Sequence, residues 1–274
     1  MKKALILITL SLSFNLFATT YYPSEYLNTK NNLFNEAQKA QLFKILSSFH
    51  KRQKGANDLV VDNCEDGCYR HISLGYHQAR IYLFGQLHLE SDGEGNYIHD
   101  VYCHKDFRKS AGVGPMEIPN AASINCEHTW PQSKFTSSFP TELQKSDLHH
   151  LFPSDSKANS TRGNFPFADV DGTTLEGGCS VSSIGSAQDR SKVSSIYFEP
   201  PQEHKGNVAR AIFYFSVRYK MPVDAKQEAF LRSWHELDPV DAQELKRNED
   251  IMALQGDRNP FIDYPELVNQ ISDF

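Results

Sequence analysis

The chain has 274 residues, of which 39% are hydrophobic and 12% aromatic, so it can bury a core of one large domain or two small ones. Its formal net charge of −6 excludes a globally basic coat for a polyanion. Any contact with nucleic acid must then rest on local charge.

In chain order, residues 1–18, MKKALILITLSLSFNLFA, join two lysines to an apolar run and a small residue, the pattern of a secretory signal peptide. The run is shorter than the ~20 apolar residues a membrane span needs, and no later stretch is long and apolar enough. The expected mature chain, residues 19–274, is a secreted or periplasmic protein that keeps off the membrane, with a monomer as the default. Export permits disulfides. Five cysteines, Cys64, Cys68, Cys103, Cys126 and Cys179, leave at least one thiol free or paired between chains. Cys64 and Cys68 flank the tight turn EDG, which suits a local bridge.

Residues 35–50 carry Leu42, Phe43, Ile45, Leu46 and Phe49 at helical spacing, and 76–88 suits a second helix. SDGEGN (91–96) is a turn by composition. Residues 97–103 and 121–126 read as strands. Residues 104–109 concentrate positive charge, followed by Lys134, Lys145, Lys157 and Arg162. A short helix is expected over 157–162, capped by Ser154 or Asp155 and ended by Gly163. DVDGTTLE (169–176) lacks the full ligand spacing of a calcium loop and reads as a turn. Further helices are expected over 206–220 and 225–237, a third from Asp238-Pro239 and a last from Asp263-Pro265. The sum is an α+β single domain, a mostly helical body around a centre of two strands and one helix. Lys205 and Arg210 read as ion-pair partners.

Three segments hold reactive side chains. Glu127 directly precedes His128. KSDLHHLFP supplies Asp147, His149 and His150, and NSTRGN supplies Asn159, Arg162 and Asn164. Neighbours in a strand point to opposite faces, so Glu127 and His128 share one site only if the backbone turns or something lies between them. Together the segments offer hard oxygen ligands suited to Mg²⁺, a base that titrates near neutrality, and cations. Phosphodiester hydrolysis needs those parts. Two other readings compete: a zinc hydrolase using His128, His149 and His150, weakened by the lack of H-E-x-x-H, and a non-catalytic exported binding protein.

CEHTWPQSKF followed by KSDLHHLFPSDSKANSTRGNFPF resembles the bacterial endonuclease I family, secreted or periplasmic nucleases of the ββα-metal (His-Me finger) type. FEPPQEHKGNVARAIFYFSVRY, WHELDPV, ELKRN and QGDRNPFIDYPEL extend the resemblance over nearly all the chain from about residue 60. It implies His128 as the general base for water, and Glu127 and Asn159 as ligands of one Mg²⁺, with Mn²⁺ or Ca²⁺ as other occupants. It implies cleavage of DNA, and of RNA as a further substrate, to 5′-phosphate and 3′-hydroxyl ends with little sequence preference. Family members can carry a phosphate-holding arginine between the histidine and the asparagine. Here none falls between His128 and Arg162, which leaves Lys134, Lys145 or Arg162 as substrate-binding cations.

Overall fold

The computed structural model describes residues 20–188 and 195–274, so the expected signal peptide lies outside the described residues. Helix α1 (Ser24–Thr29) leads to α2 (Asn35–Ser47), which buries Leu42, Ile45 and Leu46 at helical spacing. The helix stops short of residue 50 because Phe49 opens β1 (Phe49–Gln53). That strand is hydrogen-bonded on both sides, to β2 (Ala56–Val61) and β3 (Cys68–Tyr69). Cys64 and Cys68 form the local bridge expected of them. Helix α3 (Tyr76–Tyr82) continues through one π turn to Leu87.

A second small sheet follows, β4 (Glu90–Asp92), β5 (Gly95–His99) and β6 (Asp106–Phe107), with the SDGEGN turn inside its first hairpin. The strand expected over 97–103 ends at His99. There the buried Asp100 carboxylate accepts from the backbone N–H groups of Tyr102, Cys103 and Lys105 and turns the chain.

The central unit is β7 (Ile124–His128), paired antiparallel with β8 (Leu151–Asp155) and followed at once by α5 (Ser156–Arg162). Helix α4 (Thr141–Lys145) lies in the long connection between the strands. Asp155 caps α5 by accepting from Lys157 N at 2.9 Å and Ala158 N at 3.0 Å, and Gly163 ends it with φ of 55°.

The DVDGTTLE segment is strand rather than turn. It forms β9 (Val170–Leu175), which pairs with β10 (Cys179–Ala187), itself paired with β11 (Ile196–Glu199). Gly172 lies so close to the Ile184 carbonyl that a Cβ there would collide, which accounts for a turn-like composition inside a strand. Cys179 is bridged to Cys103, leaving Cys126 as the buried free thiol.

The chain closes with α6 (Lys205–Tyr219), α7 (Ala225–Leu237), α8 (Ala242–Gln255) and α9 (Pro260–Asp263). The third start differs from expectation, whereas the last falls at Pro265 as expected, in a 3₁₀ helix (Pro265–Gln270) that Asp263 does not cap. Asp241 caps α8 and Asn259 caps α9. Asp238 instead accepts from Gly206 N, and Asp263 pairs with Arg258. Lys205 pairs with Asp169 and Glu199, and Arg210 with Glu244, as ion-pair partners. Helix, with its 3₁₀ and π turns, occupies 44% of the described residues, alongside four small antiparallel sheets, so the body is mixed α and β rather than mostly helical.

All of α6 except Asn207 is buried. The β7–β8 pair lies where two apolar clusters meet. Ile124, Cys126 and Leu151 join Leu83 and Ile98 on one side, while Trp130 and Ala158 join Phe215 on the other.

Several imidazoles are enclosed in this core. Burial pushes His150 and His235 down to about 4, and His204 down to about 3, with Arg247 and Arg210 adding to the effect at His204. These folded values lie below the ordinary 6.5. The stability they contribute is therefore complete above pH 6.5 and is lost as pH falls toward 4, each histidine adding up to about 1.4 kcal/mol per pH unit. Denaturant melts at pH 7, 6, 5 and 4.5 should show stability falling steadily; a flat profile over that range would contradict the burial of neutral histidine.

Candidate active site

Side-chain alternation along β7 sends Asn125 and Glu127 toward α5, and Cys126 and His128 away from it. The depression at the end of the strand is bordered by Glu127, His128, Gln132, Asn159, Arg162 and Asn164, with a volume of about 430 Å³. Glu127 and His128 thus keep opposite orientations yet share one hollow, because it runs across the strand end.

On the α5 side, Glu127 is 1% exposed. Its Oε1 accepts from the Tyr102 hydroxyl at 2.9 Å and faces Arg162 Nη1 at 2.9 Å, while Oε2 has no hydrogen bond among the described residues. Burial raises the carboxyl above its ordinary value, with Arg162 and Tyr102 opposing. One turn into α5, Asn159 donates through Nδ2 to Asn125 Oδ1 at 2.6 Å, leaving its own Oδ1 without a partner among the described residues. A carboxylate oxygen and an amide oxygen, each with the rest of its side chain held, are a hard donor pair that fits Mg²⁺ completed by water.

On the other side, His128 Nε2 lies 3.1 Å from the Lys145 carbonyl. A carbonyl only accepts, so Nε2 carries the hydrogen and Nδ1 the lone pair. Gln132 Nε2 approaches that Nδ1 at 3.3 Å as a donor. Burial, then the adjacent His150, pushes His128 down to about 3, so the imidazole is neutral. The Tyr76, Phe135 and His150 rings surround it. His150 and His149 likewise spend Nε2 on the carbonyls of Gln144 and Asp257. Among the described residues no three His, Cys, Asp or Glu side chains come together to hold a metal, so the histidines of the zinc reading do not converge.

The three candidate substrate cations are placed differently from one another. Arg162 is 1% exposed, and its guanidinium faces Glu127 and donates to the carbonyls of His128 at 3.0 Å and Thr129 at 2.8 Å. It braces the site from within. Lys134 is exposed in an adjoining hollow with Trp130 and Phe165. Lys145 lies beyond His128, its ammonium 4.5 Å from the Tyr76 ring centre. Asp147 is fully enclosed and accepts from Tyr214 and Tyr219, both at 2.8 Å, anchoring the segment whose Lys145 carbonyl holds His128.

Tyr102, Asn125 and Gln132 escape the sequence reading. Asn125 carried a usable signal, since two residues before Glu127 in a strand is the same face. Tyr102 and Gln132 carried none, because their contacts depend on how distant segments pack.

The sequence profile of the endonuclease I family matches residues 65–266. The chain is 36% identical over 172 residues to an extracellular ribonuclease of Bacillus subtilis (strain 168), covering 56% of this chain and 55% of that protein. It is 35% identical over 202 residues to an extracellular ribonuclease of Bacillus amyloliquefaciens, covering 66% and 63%. A periplasmic deoxyribonuclease of Aeromonas hydrophila is 28% identical over 172 residues, covering 57% and 70%. The aligned region thus spans less than two thirds of the two Bacillus relatives. With most of its length matched to that profile, the site segments included, the chain belongs to the endonuclease I family.

Proposed function

We propose that the protein is an exported, Mg²⁺-dependent endonuclease that cuts DNA, and RNA as well, with little sequence preference, and that the β7–β8–α5 unit is a ββα-metal core. The observation that carries this reading is the fixed tautomer of His128: Nε2 tied to the Lys145 carbonyl, Nδ1 presenting its lone pair at a hollow that Glu127 and Asn159 also border. Relatives named as extracellular ribonuclease and periplasmic deoxyribonuclease support the reaction class and the destination outside the cytoplasm.

In this reading Nδ1 of neutral His128 takes a proton from the attacking water. Gln132 leaves Nδ1 as water arrives and orients it. Glu127 and Asn159 would hold the metal, and Tyr102, Arg162 and Asn125 hold those two side chains in place. The metal, when bound, neutralises charge on the phosphate and on the leaving 3′-oxygen. Products carry 5′-phosphate and 3′-hydroxyl ends. Contacts made through the phosphate backbone leave base sequence largely unread.

Metal removal provides the test. Plasmid DNA and ribosomal RNA should be cut in Mg²⁺, spared in excess EDTA, and cut again when Mg²⁺ is restored; Mn²⁺ should substitute. Undiminished cutting in EDTA would sink the metal assignment. A correctly folded protein inert in every divalent metal would favour an exported binding protein.

A further inference from the structure

Beside His128, on the side away from Glu127, lies a pair of positive charges that the mechanism above does not use. Tyr76 begins α3, and its ring centre is 5.4 Å from that of His128. The Arg80 guanidinium lies 4.7 Å from the Tyr76 ring centre and the Lys145 ammonium 4.5 Å. Neither cation forms an ion pair with a carboxylate among the described residues, and Arg80 Nε is enclosed with no hydrogen-bond partner. Arg108, Arg162, Arg210, Arg232 and Arg258 are paired with carboxylates, while Arg52, Arg70, Arg218 and Arg247 each lie singly on a ring of their own, so two cations share a ring only at Tyr76 among the described residues. The carboxylate that reaches Tyr76, Glu142, accepts from its backbone N–H at 3.2 Å rather than from either cation.

Two like charges drawn to one ring next to a buried imidazole repel each other, and in a chain of net charge −6 carboxylates are plentiful. Contact with the ring face holds the cations in place without neutralising them. Their charge is left for an anion, and an arginine fork matches two phosphate oxygens. We infer that Arg80 and Lys145, gathered on Tyr76, bind the phosphodiester next to the one being cut. The site rests on the nuclease reading and supplies the backbone cation that Arg162, turned inward, does not.

The test is binding, measured apart from cleavage. In a His128→Ala background, a fluorescein-labelled single-stranded oligodeoxynucleotide is titrated by anisotropy across a NaCl series. Arg80→Ala should weaken binding about tenfold at low salt and reduce the slope of log affinity against log salt by about 0.7, one phosphate contact. Lys145→Gln should act similarly, and Arg80→Lys should restore the slope while recovering only part of the affinity. Equal melting temperatures for these variants and their parent separate charge from folding. Parent-like slopes and affinities in both charge-removing variants, with the parent binding well, would overturn the site and leave the nuclease reading intact. A parent that bound no nucleic acid and a wild type that cut none would overturn both.

Discussion

Substituting His128 by alanine should lower the rate of phosphodiester cleavage by about 10²–10⁴-fold, the usual contribution of a positioned general base. Substrate affinity should change little, because His128 is 6% exposed and its proposed partner is the attacking water rather than the phosphate. The expectation follows from the division of labour between its two nitrogens. Nε2 is committed to the Lys145 carbonyl, so proton transfer is left to Nδ1. His149 and His150 cannot take over in place, since neither borders the hollow and the free Nδ1 of each is sealed inside the protein. Single-turnover cleavage of a labelled duplex in Mg²⁺ measures the loss. Cutting within threefold of wild type would move the base elsewhere and remove the main support for this site.

Arg162→Ala should be costly in a different currency, with a loss of about 3–5 kcal/mol of folding stability. The guanidinium is the cation facing the enclosed Glu127 carboxylate, and it also serves the carbonyls of His128 and Thr129. Removing it strands a buried charge and two acceptors together. Arg162→Lys should recover only part of the loss, because an ammonium cannot span the carboxylate and both carbonyls with a planar fork. Denaturant unfolding at pH 7 without divalent metal gives the comparison. If Arg162 were chiefly a substrate contact, the alanine variant would unfold like wild type and fail only in binding nucleic acid.

Much of this site was legible in the sequence. Glu127, His128 and Asn159 border one hollow as the motifs suggest, and Asp155 and Gly163 bound α5 where capping chemistry places them. What could not be read is what long-range packing decides. Arg162 carries a positive charge that looks available, yet the fold turns it inward to balance Glu127. The strand β9 was hidden because Asp171, Gly172 and two threonines compose a turn until a partner strand comes close. Asp238 and Asp263 stand before plausible helix starts, but Gly206 N and Arg258 claim their carboxylates. Local rules locate capping groups; competition among distant partners selects which are used.

The bridge between Cys103 and Cys179 has a bearing on more than the sheet it joins. It closes a loop with a sequence separation of 76, which by chain entropy alone removes about 4.5 kcal/mol of freedom from the unfolded chain. One end of that loop immediately follows Tyr102, whose hydroxyl holds Glu127, and whose carbonyl accepts from Ser182 on the same strand as Cys179. The orientation of the central carboxylate is thereby coupled to a covalent bond that forms only in oxidising surroundings. The chemistry of the compartment in which the chain matures is thus felt in the geometry of the hollow that Glu127 borders.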